Sequence, residues 1–253
     1  MKSVVRAELI KLRTVRMPIW LLLTALGFVI LLVTVTVPTD NSPGNTLSLH
    51  DPDLLARTLG VGAGGGWVIM LVLGILAFTQ ELRFGTATST FLLTPVRDRV
   101  LVAKALALVV VGLLFAAATI TLDVVLSLVL IRARGGTTIW SAQVAEVLAA
   151  TVLLMALSGP IGVAVGALVR NQIAAVVGAL VWLLVAEQLL IALFPAIGRW
   201  TPGGAAAGML QLGREATTHG DLLPAWAGGL VLVAYATVIG LLASAVTLRR
   251  DIT

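Results

Sequence analysis

The sequence predicts an all-α polytopic membrane protein with six transmembrane helices, and three observations predict it. Of 253 residues, 59% are hydrophobic and only 11% are charged, with a mean hydropathy of +1.07; a water-soluble domain carries about a quarter charged residues. Stretches free of Asp, Glu, Lys and Arg run over 17–39, 58–80, 147–169 and 222–248, each longer than the roughly 20 residues a helix needs to cross a hydrocarbon layer of about 30 Å. Two more, between Lys104 and Arg132 and between Arg170 and Arg199, are interrupted only by Asp123 and Glu187. The third observation is the placement of positive charge. With six spans both termini share a side, and of 17 Lys and Arg residues only Arg57, Arg132, Arg134, Arg199 and Arg214 fall on the other. The positive-inside rule then predicts cytoplasmic termini. The same sidedness accounts for the net charge of +5 and the pI of about 10.7 without a nucleic acid partner. Residues 1–253 form a single transmembrane domain, because what the spans leave over is too scattered for a soluble one.

The elements follow in order. Residues 1–16 read as an amphipathic helix on the membrane surface: Val5, Leu9 and Leu12 make a stripe flanked by Arg6, Lys11 and Arg13, with Ile10 off it. Such a helix sits in the headgroup layer near anionic lipid; a plain topogenic basic tail is the competing reading. The long charged lead and long apolar run make span one a retained helix rather than a signal peptide. Absence of cysteine excludes disulfides, a lipoprotein anchor and thiolate metal sites. After Val37-Pro38 comes a polar outer loop in which His50, Asp51 and Asp53 read as solvated polarity rather than a metal cluster. Span two opens on Gly60, Gly62, Gly64, Gly65 and Gly66. No Gly-Lys-Ser/Thr follows, so this is not a phosphate loop but a site of close helix packing or a loosened helix start.

Span four carries Ser158-Gly159-Pro160, a predicted kink, and continues through Gly162 and Gly166 at the four-residue spacing that brings helices close. The short turn at Arg170-Asn171-Gln172 makes spans four and five an antiparallel hairpin. Within residues 195–222, the piece from Gly203 to Leu212 that follows Pro195 and Pro202 is compact through Gly204 and Gly208; at roughly ten residues it is too short to span, so 195–222 reads as an outer re-entrant or interfacial helical segment. The last span runs from about Leu223 to Leu248.

The connection after span two, residues 81–100, is longer than a turn between helices requires. It starts with Glu81 and Arg83 at the membrane edge, passes through hydroxyl and apolar residues to Phe91, breaks at Thr94-Pro95, and leads through Arg97 and Arg99 to Lys104. Together with the leader Ala7-Glu8-Leu9-Ile10-Lys11-Leu12-Arg13, the Glu81-x-x-x-Gly85-Thr86 start and the Thr94-Pro95-x-Arg97 run, this order resembles the membrane subunit of a type-2 ABC exporter. The resemblance covers essentially the whole chain. It implies a permease for drugs, antibiotics or other amphiphiles in the bacterial plasma membrane, multi-pass, working as a homodimer or beside a similar permease. It further implies that Glu81, Arg83, Gly85, Thr86, Phe91, Thr94, Pro95, Arg97, Arg99 and Lys104 belong to a cytoplasmic coupling helix and its flanks, docking into two copies of a separate ABC ATPase. ATP and Mg then sit on that partner. This chain has no Gly-x-x-x-x-Gly-Lys-Ser/Thr and binds no cofactor of its own.

Three acids fall inside or at the edge of spans. At about 1.5 Å per residue, Asp123 lies roughly 30 Å up span three and Glu187 roughly 22 Å up span five, while Glu146 opens span four on the outer side. They either pair with Arg132, Arg134 or Arg199 at the outer rim or form an acidic vestibule that releases a cationic amphiphile. Two other function classes compete. An ion-coupled transporter or channel draws on these acids alone, without the inverted repeat it would favour. An intramembrane hydrolase needs a facing Ser and His; Ser158 is present, but His50 and His219 lie in outer loops.

Overall fold

A computed structural model describes residues 1–37, 49–85, 97–212 and 222–249, and all regular structure among them is helical. In chain order the helices are α1 (Lys2–Thr14), α2 (Met17–Thr36), α3 (Leu54–Arg83), α4 (Arg97–Ala133), α5 (Ala142–Val169) and α6 (Gln172–Leu193, containing a π-helical turn at Trp182–Ala186). Short α7 (Pro195–Gly198), α8 (Pro202–Met209) and then α9 (Ala225–Arg249) complete the chain. Six of them, α2 to α6 and α9, are long and apolar enough to cross a membrane. The protein is thus a multi-pass membrane protein by the length and composition of its helices.

Burial sorts the six. In the most apolar window of each, 67% of α3, 50% of α4 and 56% of α5 is buried, against 17% of α2, 11% of α6 and 22% of α9. A central trio is therefore skirted by three helices whose apolar faces point outward. Without a hydrophobic force between helices in lipid, close association depends on small residues and tight contact. A Cβ on Gly162 of α5 would stand 2.9 Å from Cα of Gly74 in α3, and one on Gly112 of α4 would stand 3.0 Å from the Met155 carbonyl carbon. These are backbone-to-backbone crossings that no larger residue permits. The small-residue face predicted from Gly162 and Gly166 is thus turned onto α3. Pro160 sits inside α5, which runs on as one helix.

The glycine run that opens α3 serves the same purpose, since α3 is one continuous helix and not loosened there. Each glycine admits a different neighbour: a Cβ would meet Asp123 of α4 at Gly62, Phe28 of α2 at Gly65 and Met155 of α5 at Gly66. Near this end a second apolar cluster gathers Val29, Val33, Leu54, Ile131 and Val144, and Thr137 N donates to the Leu49 carbonyl at 3.2 Å. The α5–α6 turn, at the end where α1 lies, is tight because Arg170 takes a left-handed conformation, φ 57°, and the Asn171 side chain accepts from Ala174 N at 3.0 Å.

Residues 195–222 contain α7 and α8 where one short segment was expected. The Thr201 side chain caps α8 by accepting from Gly204 N at 3.2 Å, and Gly228 of α9 packs on it, a Cβ there falling 2.9 Å from Met209 Cγ. At the other end of the molecule α1 lies against α4. Its stripe faces its own spans: Val5, Leu9 and Leu12 are half-buried and Leu12 joins the main core, while Ile10 is exposed. A buried Glu8 in the middle of the stripe explains this choice, because a lone acid on that face requires a cation that the spans supply.

Candidate functional site at the basic end

Where α1 meets the end of α3 and the start of α4, four charged side chains close a ring. Lys104 Nζ of α4 lies 2.5 Å from Glu8 Oε2 of α1 and 3.0 Å from Glu81 Oε1 of α3. Lys11 Nζ lies 2.7 Å from Glu8 Oε1 and 3.0 Å from the same Glu81 oxygen. Signs alternate around the ring, so each charge has an opposite on both sides. The Glu8 and Lys104 side chains are both only 3% exposed. A pair this deep is strongly coupled, because removing Lys104 leaves the buried Glu8 only the half-exposed Lys11 as counter-charge. Burial works against the Glu8 carboxylate, yet the charge of Lys104 and the hydrogen bonds from Lys104 and Lys11 outweigh it and hold Glu8 below its ordinary 4.5. Burial likewise works against Lys11, but hydrogen bonds to Glu8 and Glu81 and their charges hold it above 10.5.

Beside the ring a cleft of about 550 Å³ opens between α1, α2 and α3, lined by Leu12, Val15, Met17, Pro18 and Phe84 as well as the four charges. Gln80 donates to Met17 Sδ at 2.9 Å across it. Past Glu81, Arg83 stacks over Phe84 at 5.8 Å, and two residues beyond the end of α3 Gly85 has a left-handed φ of 68°. A side chain at Gly85 would be strained by its backbone alone.

Of the residues expected to couple to an ATPase, the structure brings Glu81 and Lys104 together, with Arg83 and Gly85 just beyond. Arg99 is exposed near the start of α4. Thr86, Phe91, Thr94 and Pro95 lie outside the described residues, as does the Arg97 side chain. Sequence reasoning missed Glu8 and Lys11 as members of this site. The available signal was Glu8 itself, the one acid in a basic leader, placed between the stripe residues Val5, Leu9 and Leu12.

The three membrane acids are not brought together, and among the described residues none is in ion-pair contact with Arg132, Arg134 or Arg199. Asp123 is buried against Gly62, where a Cβ would stand 2.6 Å from its Cγ, and accepts from Ser127 Oγ at 3.2 Å. Glu187 is fully buried; Trp182 Nε1 and Gly203 N each donate to it at 2.6 Å. Trp182 reaches it because the π-helical turn places residues five apart in register, and Gly203 because α8 aims its N-terminal end at the carboxylate. Glu146 accepts from Gln211 at 2.8 Å. Each of the three thus accepts from a neutral donor, while Arg134 reaches the Val37 carbonyl and Arg199 stacks on Trp200 at 5.8 Å. Near Glu187 a mostly apolar cavity of about 500 Å³ lies between α3, α6 and α8, with Trp67, Leu183, Gln188 and Gly203 among its lining.

Ser158 is buried and donates to the Leu154 carbonyl at 2.6 Å. Among the described residues no group of three or more His, Cys, Asp or Glu is placed to hold a metal. Compared with known families and curated proteins, the chain matches no family model and no curated sequence.

Proposed function

We propose that the chain is the membrane subunit of an ATP-driven exporter of the type-2 ABC class, forming the translocation pathway for amphiphiles while a separate ATPase binds ATP and Mg. The observation that carries this reading is the charge ring at the base of the connection between α3 and α4. Glu81 and Lys104 stand at the two ends of that connection, and α1 bridges them. A force applied to the connection by a docked partner therefore reaches α1, α3 and α4 as one body, instead of bending a loose loop. From α3 it passes to α5 through the Gly74–Gly162 crossing, where backbones touch and cannot slide without separating. In this reading the basic end faces the cytoplasm of a bacterial cell, both termini included. The segment that holds α7 and α8 is re-entrant on the outer side, the cavity of about 500 Å³ belongs to the pathway, and two such subunits, identical or similar, make the complete unit.

A second reading, ion-coupled transport, is favoured by one feature: Asp123 is buried in α4 with no cationic partner among the described residues. Purification separates the two. A tagged full-length chain drawn from native membranes in mild detergent should bring with it a soluble protein carrying the phosphate-binding loop this chain lacks. Arg83→Glu and Arg97→Glu should reduce that recovery while leaving the chain inserted. An ATPase-free preparation that still transports would support the ion-coupled reading instead.

A further inference from the structure

On the same end as the ring, but across α3 from it, a cleft of about 350 Å³ opens between the end of α3 and the α5–α6 turn, lined by Thr79, Leu82, Arg83, Arg170, Gln172 and Ile173. It holds two guanidinium groups and no acid. Arg83 Nη1 donates to Gln172 Oε1 at 3.4 Å, a long contact to an amide that carries no charge of its own. Among the described residues neither Arg83 nor Arg170 has an acidic partner. The nearby carboxylate, Glu81, is engaged by Lys11 and Lys104. Two like charges lining one cleft repel unless an anion lies between them. The anion preference comes from the arginines and not from the start of α6, because Asn171 already caps that helix.

The cleft continues into an apolar stripe. Ile173, Val177 and Val181 follow one another along one face of α6 at the spacing of a helical turn, and they are 73%, 52% and 53% exposed. Positive charge at the end of the spans, joined to an outward apolar stripe running along one of them, matches an anionic headgroup with an acyl chain below it. We propose that Arg83 and Arg170 bind the phosphate of an anionic phospholipid whose chain lies along Ile173, Val177 and Val181. Guanidinium suits this role, since its planar fork takes two phosphate oxygens at once. Because the spans end here, the phosphate stands at headgroup depth without moving the helices. The site depends on the chain spanning a membrane, not on its working with an ATPase.

The test is native mass spectrometry of the purified full-length chain, titrated with phosphatidylglycerol, with phosphatidylcholine of the same acyl chains, and with inorganic phosphate. One phosphatidylglycerol should be held roughly tenfold more tightly than phosphatidylcholine, and the preference should shrink as salt rises. Inorganic phosphate should fail to displace the lipid, because it cannot use the stripe. Arg170→Asn keeps a residue tolerant of the left-handed turn and should lower phosphatidylglycerol binding roughly tenfold, while Arg170→Lys should keep most of it. Equal binding of the two lipids, a preference indifferent to salt, or no loss in Arg170→Asn would overturn the proposal. Displacement by inorganic phosphate would overturn the lipid assignment in favour of a free-anion site. Retained lipid with loss of a co-purifying protein would overturn it in favour of a protein-docking surface. The wild-type comparison needs no variant, so the proposal stays testable even if Arg170→Asn does not fold.

Discussion

Glu8 shows how one side chain decides the placement of a helix. A stripe of Val5, Leu9 and Leu12 suits lipid as well as protein, but an acid among them does not, and Lys104 supplies its counter-charge at 2.5 Å. Removing Lys104 leaves the buried Glu8 only the half-exposed Lys11 at 2.7 Å, at a cost approaching the roughly 3–5 kcal/mol of breaking a buried pair outright. Lys104→Ala should therefore lower thermal stability in detergent by that order and release α1. The double change Glu8→Leu with Lys104→Met, which removes both charges at similar volume, should recover most of the loss. A double variant no better than Lys104→Ala would show that the pair is not the link. The pH dependence has a defined sign. Glu8 is held below 4.5 in the folded protein, so what it contributes is complete above 4.5 and is lost as pH falls through the lowered value. Lys11 is held above 10.5, so its contribution is complete below 10.5 and is lost as pH rises through the raised value. Docking of α1 should be flat in between, measurable as a constant distance between spin labels at exposed Ile10 and Phe84; release of α1 at pH 6 would contradict the assignment. At this scale the sequence was legible in part. Glu81 and Lys104 stand out at the ends of the connection, but their pairing with Glu8 and Lys11 is a contact across the fold that no local pattern encodes.

Among the helices, the long apolar runs and their order were plain from composition, because a span must satisfy its own backbone and exclude charge. Which face of each span points inward was not, because helices apolar all round carry no periodic signal. Glycine was the exception. Gly162 and Gly166 mark the face of α5 that meets α3, and the glycines opening α3 mark three separate neighbours. Gly162→Ala should cost about 1–3 kcal/mol, as overpacking does, since its Cβ would stand 2.9 Å from Gly74 Cα. Gly27→Ala, where a Cβ meets nothing within 4 Å, should be nearly silent. Thermal unfolding of both variants in one detergent makes the comparison, and equal melting would refute the crossing. The π-helical turn at Trp182–Ala186 and the division of 195–222 into α7 and α8 were hidden for a different reason. The turn carries a hydrogen bond from Trp182 to Glu187 and the start of α8 one from Gly203 to Glu187, contacts that no pattern of apolar residues marks.

As a whole, the molecule has a tight centre of α3, α4 and α5, with α2, α6 and α9 turned outward. The charge ring and the two basic-end clefts gather where the sequence concentrates its positive charge. That concentration is a property of the whole chain and was readable from the residues alone; the charge ring that joins α1 to α3 and α4 was not. The central claim is that this end is cytoplasmic and couples to an ATPase through the segment that includes Phe91. The chain contains no cysteine, so Phe91→Cys introduces a single reactive thiol. In intact cells it should be protected from a membrane-impermeant thiol reagent, and in isolated native membranes it should cross-link to a soluble ATP-binding protein. Labelling from outside the cell, or cross-linking that never captures an ATP-binding partner, would contradict the account.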